Sequence, residues 1–110
     1  MEVKQFQTIL SLIDNELKRA NNKFPQFQSR HESFSVMLEE FQEADKEIKD
    51  IKTGILQDYW KLCRESKNIP LGDNEAKNLL KHLEAGVVNA ISELIQVGAM
   101  VQKAKKLEEK

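Results

Sequence analysis

Cysteine, proline and glycine are scarce in this 110-residue chain, which has one Cys, two Pro and four Gly, and its aromatics are one Trp, one Tyr and five Phe. The single Cys63 cannot close an internal disulfide, and no Cys/His cluster offers a zinc site. That usage fits a reducing, intracellular compartment. No Lys/Arg run builds a basic stripe, and the formal net charge is -1, so nothing general points to a nucleic-acid partner. The opening MEVKQFQTIL lacks the basic-then-apolar order of a secretion signal. The stretch poorest in charge, residues 87–101, is too short and too interrupted to span a bilayer. Strand-like alternation and low-complexity segments are missing, and there are no repeats beyond heptads. The expectation is one soluble cytoplasmic domain over residues 1–110, with no membrane association.

What is present is helical periodicity. Phe6, Leu10, Ile13, Leu17 and Ala20 follow a 4-3-4-3 spacing, which predicts a first helix over about 3–20. Asn21-Asn22 and Pro25 predict its end. Phe24 and Phe27 in the following polar loop either pin it to the core or line a pocket. Ser29 with Glu32 fits a capping box, and Phe34, Phe41, Ile48, Ile55 and Leu62 then recur every seven residues. Met37, Ala44 and Ile51 fill the intermediate positions, with Tyr59 slightly out of step. The phase does not slip across Thr53-Gly54, so one long helix over about 30–64 is predicted; a break at Gly54 is the alternative. SKNIPLGD, residues 66–73, reads as a turn, with Asp73 capping a last helix over about 74–107. There Leu80, Val87, Leu94 and Val101 are heptad-spaced, and Leu83, Ala90, Val97 and Ala104 fill the second position. Gly86, Gly98 and Ala99 would let neighbouring backbones approach closely. The tail KAKKLEEK is expected to fray.

The predicted fold is therefore all-α: a long antiparallel α-hairpin plus an N-terminal helix, forming a four-helix-bundle-like core completed by oligomerisation. A second apolar side of the last helix, at Val88, Ile95 and Ala99, motivates the oligomer. Its centre, VVNAISELIQVGAMV, is apolar on nearly every side and should be buried. Glu93 is its one charged residue, and Asn89, Glu93, Gln96 and Met100 form one stripe at +4, +3 and +4. A buried carboxylate there must be ion-paired, protonated or bound to a metal, because desolvating an unpaired charge costs several kcal/mol or more.

An antiparallel hairpin turning near Pro70 puts Glu93, to within one helical turn, near Glu47, Gln96 near Glu43, and Met100 near Glu40. Glu40, Glu43 and Glu47 share one flank of their helix. Carboxylates gathered at a helix interface are costly unless a cation neutralises them, and oxygen-only ligands favour Mg²⁺ or Mn²⁺.

Glu39-Glu40-x-x-Glu43 on one helix and Glu93-x-x-Gln96 on an antiparallel one resemble the paired EExxE and ExxD motifs of the all-α nucleoside triphosphate pyrophosphohydrolases, the MazG-like superfamily. HESFSVMLEE (residues 31–40) and ELIQVGAMVQK (residues 93–103) look especially like its small phage- and prophage-encoded branch. The resemblance covers about residues 16–103. It implies that Glu40, Glu43, Glu93 and, imperfectly, Gln96 hold Mg²⁺. It further implies hydrolysis of a nucleoside triphosphate between its α and β phosphates, to a monophosphate and pyrophosphate, by a dimer or tetramer. Two departures stand out: the stretch between the motifs is longer than in the compact enzymes, and Gln96 replaces an acid, which removes one negative charge from the metal site.

Glu39, Glu40 and Glu43 are the candidates for catalytic carboxylates. Glu39 is a possible general base, or a solvated surface glutamate. Phosphate contacts would come from Arg30, Lys23 or the cluster that begins at Lys103. His31 either lines the substrate mouth or is a local capping or surface residue. Tyr59 and Trp60 are expected in the core or between subunits. The competing reading is a non-catalytic helical-bundle interaction or nucleotide-binding module of the same fold.

Overall fold

A computed structural model describes residues 1–23, 26–65 and 71–109. It is all-α, with no strand among the described residues. The helices are α1 (Val3–Lys23), α2 (Arg30–Asp50), α3 (Leu56–Glu65) and α4 (Asn74–Glu108), and a five-residue π-helical turn, Ile51–Ile55, joins α2 directly to α3. Among the described residues no helix is long and apolar enough to cross a membrane. Phe24, Pro25 and residues 66–70 of the expected turn lie outside the described residues.

The helix starts follow their caps. Ser29 Oγ accepts the Glu32 N–H at 3.1 Å, and Asp73 Oδ2 accepts the Glu75 N–H at 3.1 Å. Each satisfies an N–H that the first helical turn leaves without a partner, and Glu32 and Glu75 place negative charge at the positive end of the helix dipole. Gly72 enters α4 at φ 89°, a conformation that other residues adopt only with strain. Two expected ends move. α1 runs through Asn21-Asn22 to Lys23, since Asn costs a helix less than about 1 kcal/mol per residue. The tail expected to fray is helix to Glu108, where Lys105 and Lys106 oppose the negative end of the dipole.

The chain divides into two compact units, Met1–Ala44 with Ser92–Lys110, and Asp45–Ile91. In the first, Leu17, Phe27, Ala44, Val97 and Ala99 are buried. A Cβ on Gly98 would lie 2.7 Å from Ile13 Cδ1, so α1 and α4 meet there without room for a side chain. In the second unit Ala90 is buried, and a Cβ on Gly86 would lie 2.8 Å from Ile51 Cγ1. The close approaches expected of the small residues are thus real.

The heptads are oriented opposite to the simplest expectation. Ala44, Ala90 and Val97, from the intermediate sets, face inward, while the bulkier seams are exposed within one chain. Phe34 is 62% exposed, Phe41 48% and Leu94 45%. Val87, Val88, Ile91 and Val101 are exposed as well, so the centre of α4 is not buried all round as expected. Small residues let helix backbones close on one another, and within one chain no partner covers the large ones. Phe6 and Leu10 of the α1 seam are likewise exposed, whereas Ile13, Leu17 and Ala20 pack.

The π turn explains why Tyr59 is out of step. From Met37 to Ile51 the sheltered positions are Met37, Glu40, Ala44, Glu47 and Ile51, alternating by three and four. Continued as a regular helix, that face would next present Gly54, Asp58 and Lys61. A π turn absorbs one extra residue, so the face presents Ile55, Tyr59 and Leu62, which are half-buried, while Asp58 and Lys61 are exposed. The helix neither breaks at Gly54 nor stays regular there. Trp60, expected in the core or between subunits, is 56% exposed, with the Arg64 guanidinium 5.9 Å from its ring centroid.

Deletion of Gly54 should therefore convert the π turn to α-helix while Ile55, Tyr59 and Leu62 keep their direction. The expected result is a folded protein more stable by about 1 kcal/mol, the usual cost of a helical glycine. Deletion of Ala85 from the regular stretch of α4 should instead rotate everything beyond it by about 100° and cost several kcal/mol. Urea melts followed by circular dichroism separate the two.

Candidate metal centre

Glu40 and Glu43 stand on α2 one helical turn apart, and Glu93 comes from α4. One carboxylate oxygen from each lies within 4.8 Å of the others. Ligand oxygens around Mg²⁺ sit roughly 3–4 Å from one another, given bonds of about 2.0–2.1 Å, so a small closure of the side chains would complete such a site. Glu40 and Glu93 are half-buried and Glu43 is exposed, so the group has a sheltered side and an open side. Glu47, expected on the same flank, belongs to the second unit and not to this group. Glu93 meets α2 about one helical turn from the position first expected.

Glu40 carries the clearest strain of the group. Its Oε2 is buried and accepts no hydrogen bond. Burial, and then the charges of Glu43, Glu93, Glu39 and Glu16, hold its carboxyl above the usual carboxylate range. An acceptor-only oxygen shut away from water among other acids is the donor a hard cation satisfies, and the three carboxylates therefore fit Mg²⁺ or Mn²⁺.

The sign of the pH effect follows. Between the ordinary and the raised value the folded chain binds a proton that the unfolded chain does not, so stability falls as pH rises through that window. The Glu40 contribution is complete below the ordinary value and lost above the raised one. In EDTA the protein should melt higher at about pH 5 than at about pH 8 on account of this group, and Glu40→Gln should reduce the difference. If Mg²⁺ binds this group, excess of the ion should reduce the difference too, by holding Glu40 ionised.

Beside the acidic group, a cavity of about 480 Å³ opens within the same unit. Glu40 and Gln96 line it, so it shares a wall with the carboxylates, and Glu39 lines it as well. Its apolar wall includes Ala20, Phe27, Val36 and Met100. Lys103 closes one side with its ammonium 4.8 Å from the Phe27 ring centroid. Lys103 is only 5% exposed, and burial pushes its ammonium below the usual range against the opposing pull of Glu32. Glu16 accepts from Arg19 Nε at 3.0 Å on another wall, and this hydrogen bond holds Glu16 below the usual carboxylate range.

Of the residues singled out in the sequence, Glu40, Glu43 and Glu93 come together, with Glu39, Gln96 and Lys103 at the adjoining cavity. Lys23, Arg30 and His31 are exposed and are not among the residues lining it. Arg30 instead donates to both oxygens of Glu108, at 2.7 and 3.0 Å. Phe27 is buried, so of the two readings of its loop it serves both, pinning the chain and lining a pocket. Sequence reasoning missed Glu16, Arg19 and Glu32. Lys103, singled out as a phosphate contact, also continues the stripe of Glu93, Gln96 and Met100 by three residues.

No family model matches the chain, and no curated protein or solved structure matches it.

Proposed function

We propose that the protein is a Mg²⁺-dependent nucleoside triphosphate pyrophosphohydrolase that cleaves a (d)NTP to the monophosphate and pyrophosphate. The observation that carries this reading is the convergence of Glu40, Glu43 and Glu93 to within 4.8 Å beside a cavity. These are the positions at which the two acidic motifs of the chain resemble the MazG-like pattern. Glu40, Glu43 and Glu93 would hold the ion, with the Gln96 carbonyl as a neutral fourth donor. When bound, Mg²⁺ neutralises phosphate charge and lowers the pKa of water. Glu39 lines the cavity outside the acidic group, and in this reading it would accept the proton of the attacking water. The decisive assay is each dNTP and NTP with Mg²⁺ or Mn²⁺, scored for pyrophosphate; absence of release from the whole panel would overturn the reading.

The same reading includes a homo-oligomer. The exposed seam of Phe34, Phe41 and Ile48 on α2, and that of Val87, Leu94 and Val101 on α4, support it. Apolar stripes of this length left in water favour association, and a second copy presents matching ones. These seams also support the rival reading, a bundle-forming interaction module in which the carboxylates only set register. Mg²⁺ separates the two, because only a metal site makes the melting temperature rise with the free ion concentration.

A further inference from the structure

The cations expected to meet phosphate from outside α4, Lys23 and Arg30, do not line the cavity, whereas Arg19 of α1 and Lys103 of α4 do. Lys103 is 5% exposed and engaged within the protein, with the Phe27 ring among its partners. Arg19 is placed differently. Its side chain is 58% exposed, against 19% for Glu16, so the guanidinium is the outer member of that pair on the cavity wall.

The pair uses only one edge of the guanidinium. Nε donates to Glu16 Oε2 at 3.0 Å, and Nη2 donates to Glu16 Oε1. The other edge, which carries the Nη1 hydrogens, has no acceptor among the described residues. Such an edge is a fork that matches phosphate oxygens, and Glu16 holds its plane still. Glu16 also ties this cation to the acidic group, since its charge is one of those that raise the Glu40 carboxyl. A triphosphate carries more negative charge than one Mg²⁺ neutralises, and the carboxylates that hold the ion add to the excess. A cation from the chain is therefore needed beside the ion, and Arg19 is the exposed one that the cavity offers. The β and γ phosphates carry most of the charge, so they gain most from it.

Resting on the pyrophosphohydrolase reading, we propose that Arg19, steadied by Glu16, binds the β and γ phosphates of the substrate and so also the pyrophosphate that leaves.

The test titrates inorganic pyrophosphate in excess Mg²⁺ into wild type, Arg19→Gln and Lys18→Gln by calorimetry, and titrates Mg²⁺ alone into each. Lys18 is an exposed cation of α1 that does not line the cavity, so it reports the general field. The pyrophosphate Kd should rise at least about tenfold in Arg19→Gln, as lost charge-assisted hydrogen bonds imply, and less than about twofold in Lys18→Gln. Mg²⁺ alone should bind Arg19→Gln no more weakly than wild type, because Glu16 then stands unneutralised near Glu40. Arg19→Lys keeps the charge without the fork and should fall between. Unchanged pyrophosphate affinity in Arg19→Gln, an equal loss in Lys18→Gln, or loss of Mg²⁺ binding along with pyrophosphate overturns the inference. Should wild type turn over a triphosphate while any of these holds, the pyrophosphohydrolase reading stands without it. If no triphosphate is turned over, that reading falls, and the titration still decides Arg19: no pyrophosphate binding by wild type overturns it too. If circular dichroism shows Arg19→Gln unfolded, Arg19→Lys decides, and a wild-type pyrophosphate affinity in that variant overturns the assignment.

Discussion

Glu40→Gln is expected to lower Mg²⁺-dependent pyrophosphate release by about 100-fold or more, while the metal-free protein melts no lower than wild type. The first half follows if Glu40 holds the ion as proposed, since losing a charged ligand weakens a metal that supplies several kcal/mol of charge stabilisation. The second half follows from the surroundings of Glu40, whose buried Oε2 accepts no hydrogen bond and whose charged neighbours in the site are Glu43, Glu93, Glu39 and Glu16. An amide of the same shape removes the like-charge repulsion and the cost of an ionised group shut from water. The opposite outcome has a clear meaning. If the carboxylates only brace the bundle through pairing with cations, losing one member should cost roughly 3–5 kcal/mol. Melts of wild type and variant in EDTA and in excess Mg²⁺, run beside the activity assay, decide between these. A variant that melts far lower in EDTA, with no Mg²⁺ stabilisation of wild type, ends the metal-site reading.

If the chain forms the homo-oligomer proposed above, Phe41→Glu should dissociate it without unfolding the chain. Phe41 is 48% exposed within one chain and lies at the middle of the Phe34, Phe41 and Ile48 seam. A surface change away from the packed face usually moves stability by no more than about 0.5 kcal/mol. At the centre of an interface, a large aromatic anchor is worth about 2 kcal/mol or more, and a carboxylate in its place adds an unpaired buried charge. The dissociation constant should therefore rise by about 30-fold at least. Light scattering over a concentration series, with circular dichroism on the same samples, checks both halves. A wild-type mass of one chain throughout the series would count against the oligomer, and with it the four-helix-bundle core.

The all-α character was fully legible because helix formation here rests on local signals. The Ser29–Glu32 and Asp73–Glu75 caps each act over two or three residues, and both form. The seven-residue spacing marked the ends of the helical stretch from α2 through α3 and those of α4 to within a residue or two, but not the division of the first at Ile51–Ile55. The acidic site was legible for a related reason. Glu40 and Glu43 are neighbours by helical spacing alone, and a lone carboxylate in the charge-poor stretch of α4 needs a partner. What the pattern left open was which turn of α2 would meet Glu93. Register depends on the turn joining the helices and on where the backbones can approach. The close contact of Gly86 on α4 with Ile51, just beyond the end of α2, helps to set it.

Two further matters were decided only by packing. Heptad spacing shows that a helix has apolar seams, but two adjacent seams, one of large and one of small residues, look alike from spacing alone. The less bulky seam, which still includes Met37, Ile51 and Leu83, turned inward, with Ala44 and Ala90 buried in it and Gly86 and Gly98 in close contact beside it; dispersion grows as such gaps shrink. The large seam was left for whatever covers it. The second matter is the π turn. Its signal, Tyr59 one place late, was visible in the sequence, but a helix can answer such a slip with a break, a drift or an extra residue. Sheltering Tyr59 and Leu62 in place of Asp58 and Lys61 favours the extra residue, and that comparison exists only once a face is packed against something. The sequence by itself determined the helices, their caps and the carboxylates that share a face. Tertiary structure decided which face is inside, because burial is a property of two surfaces and the chain specifies each of them separately.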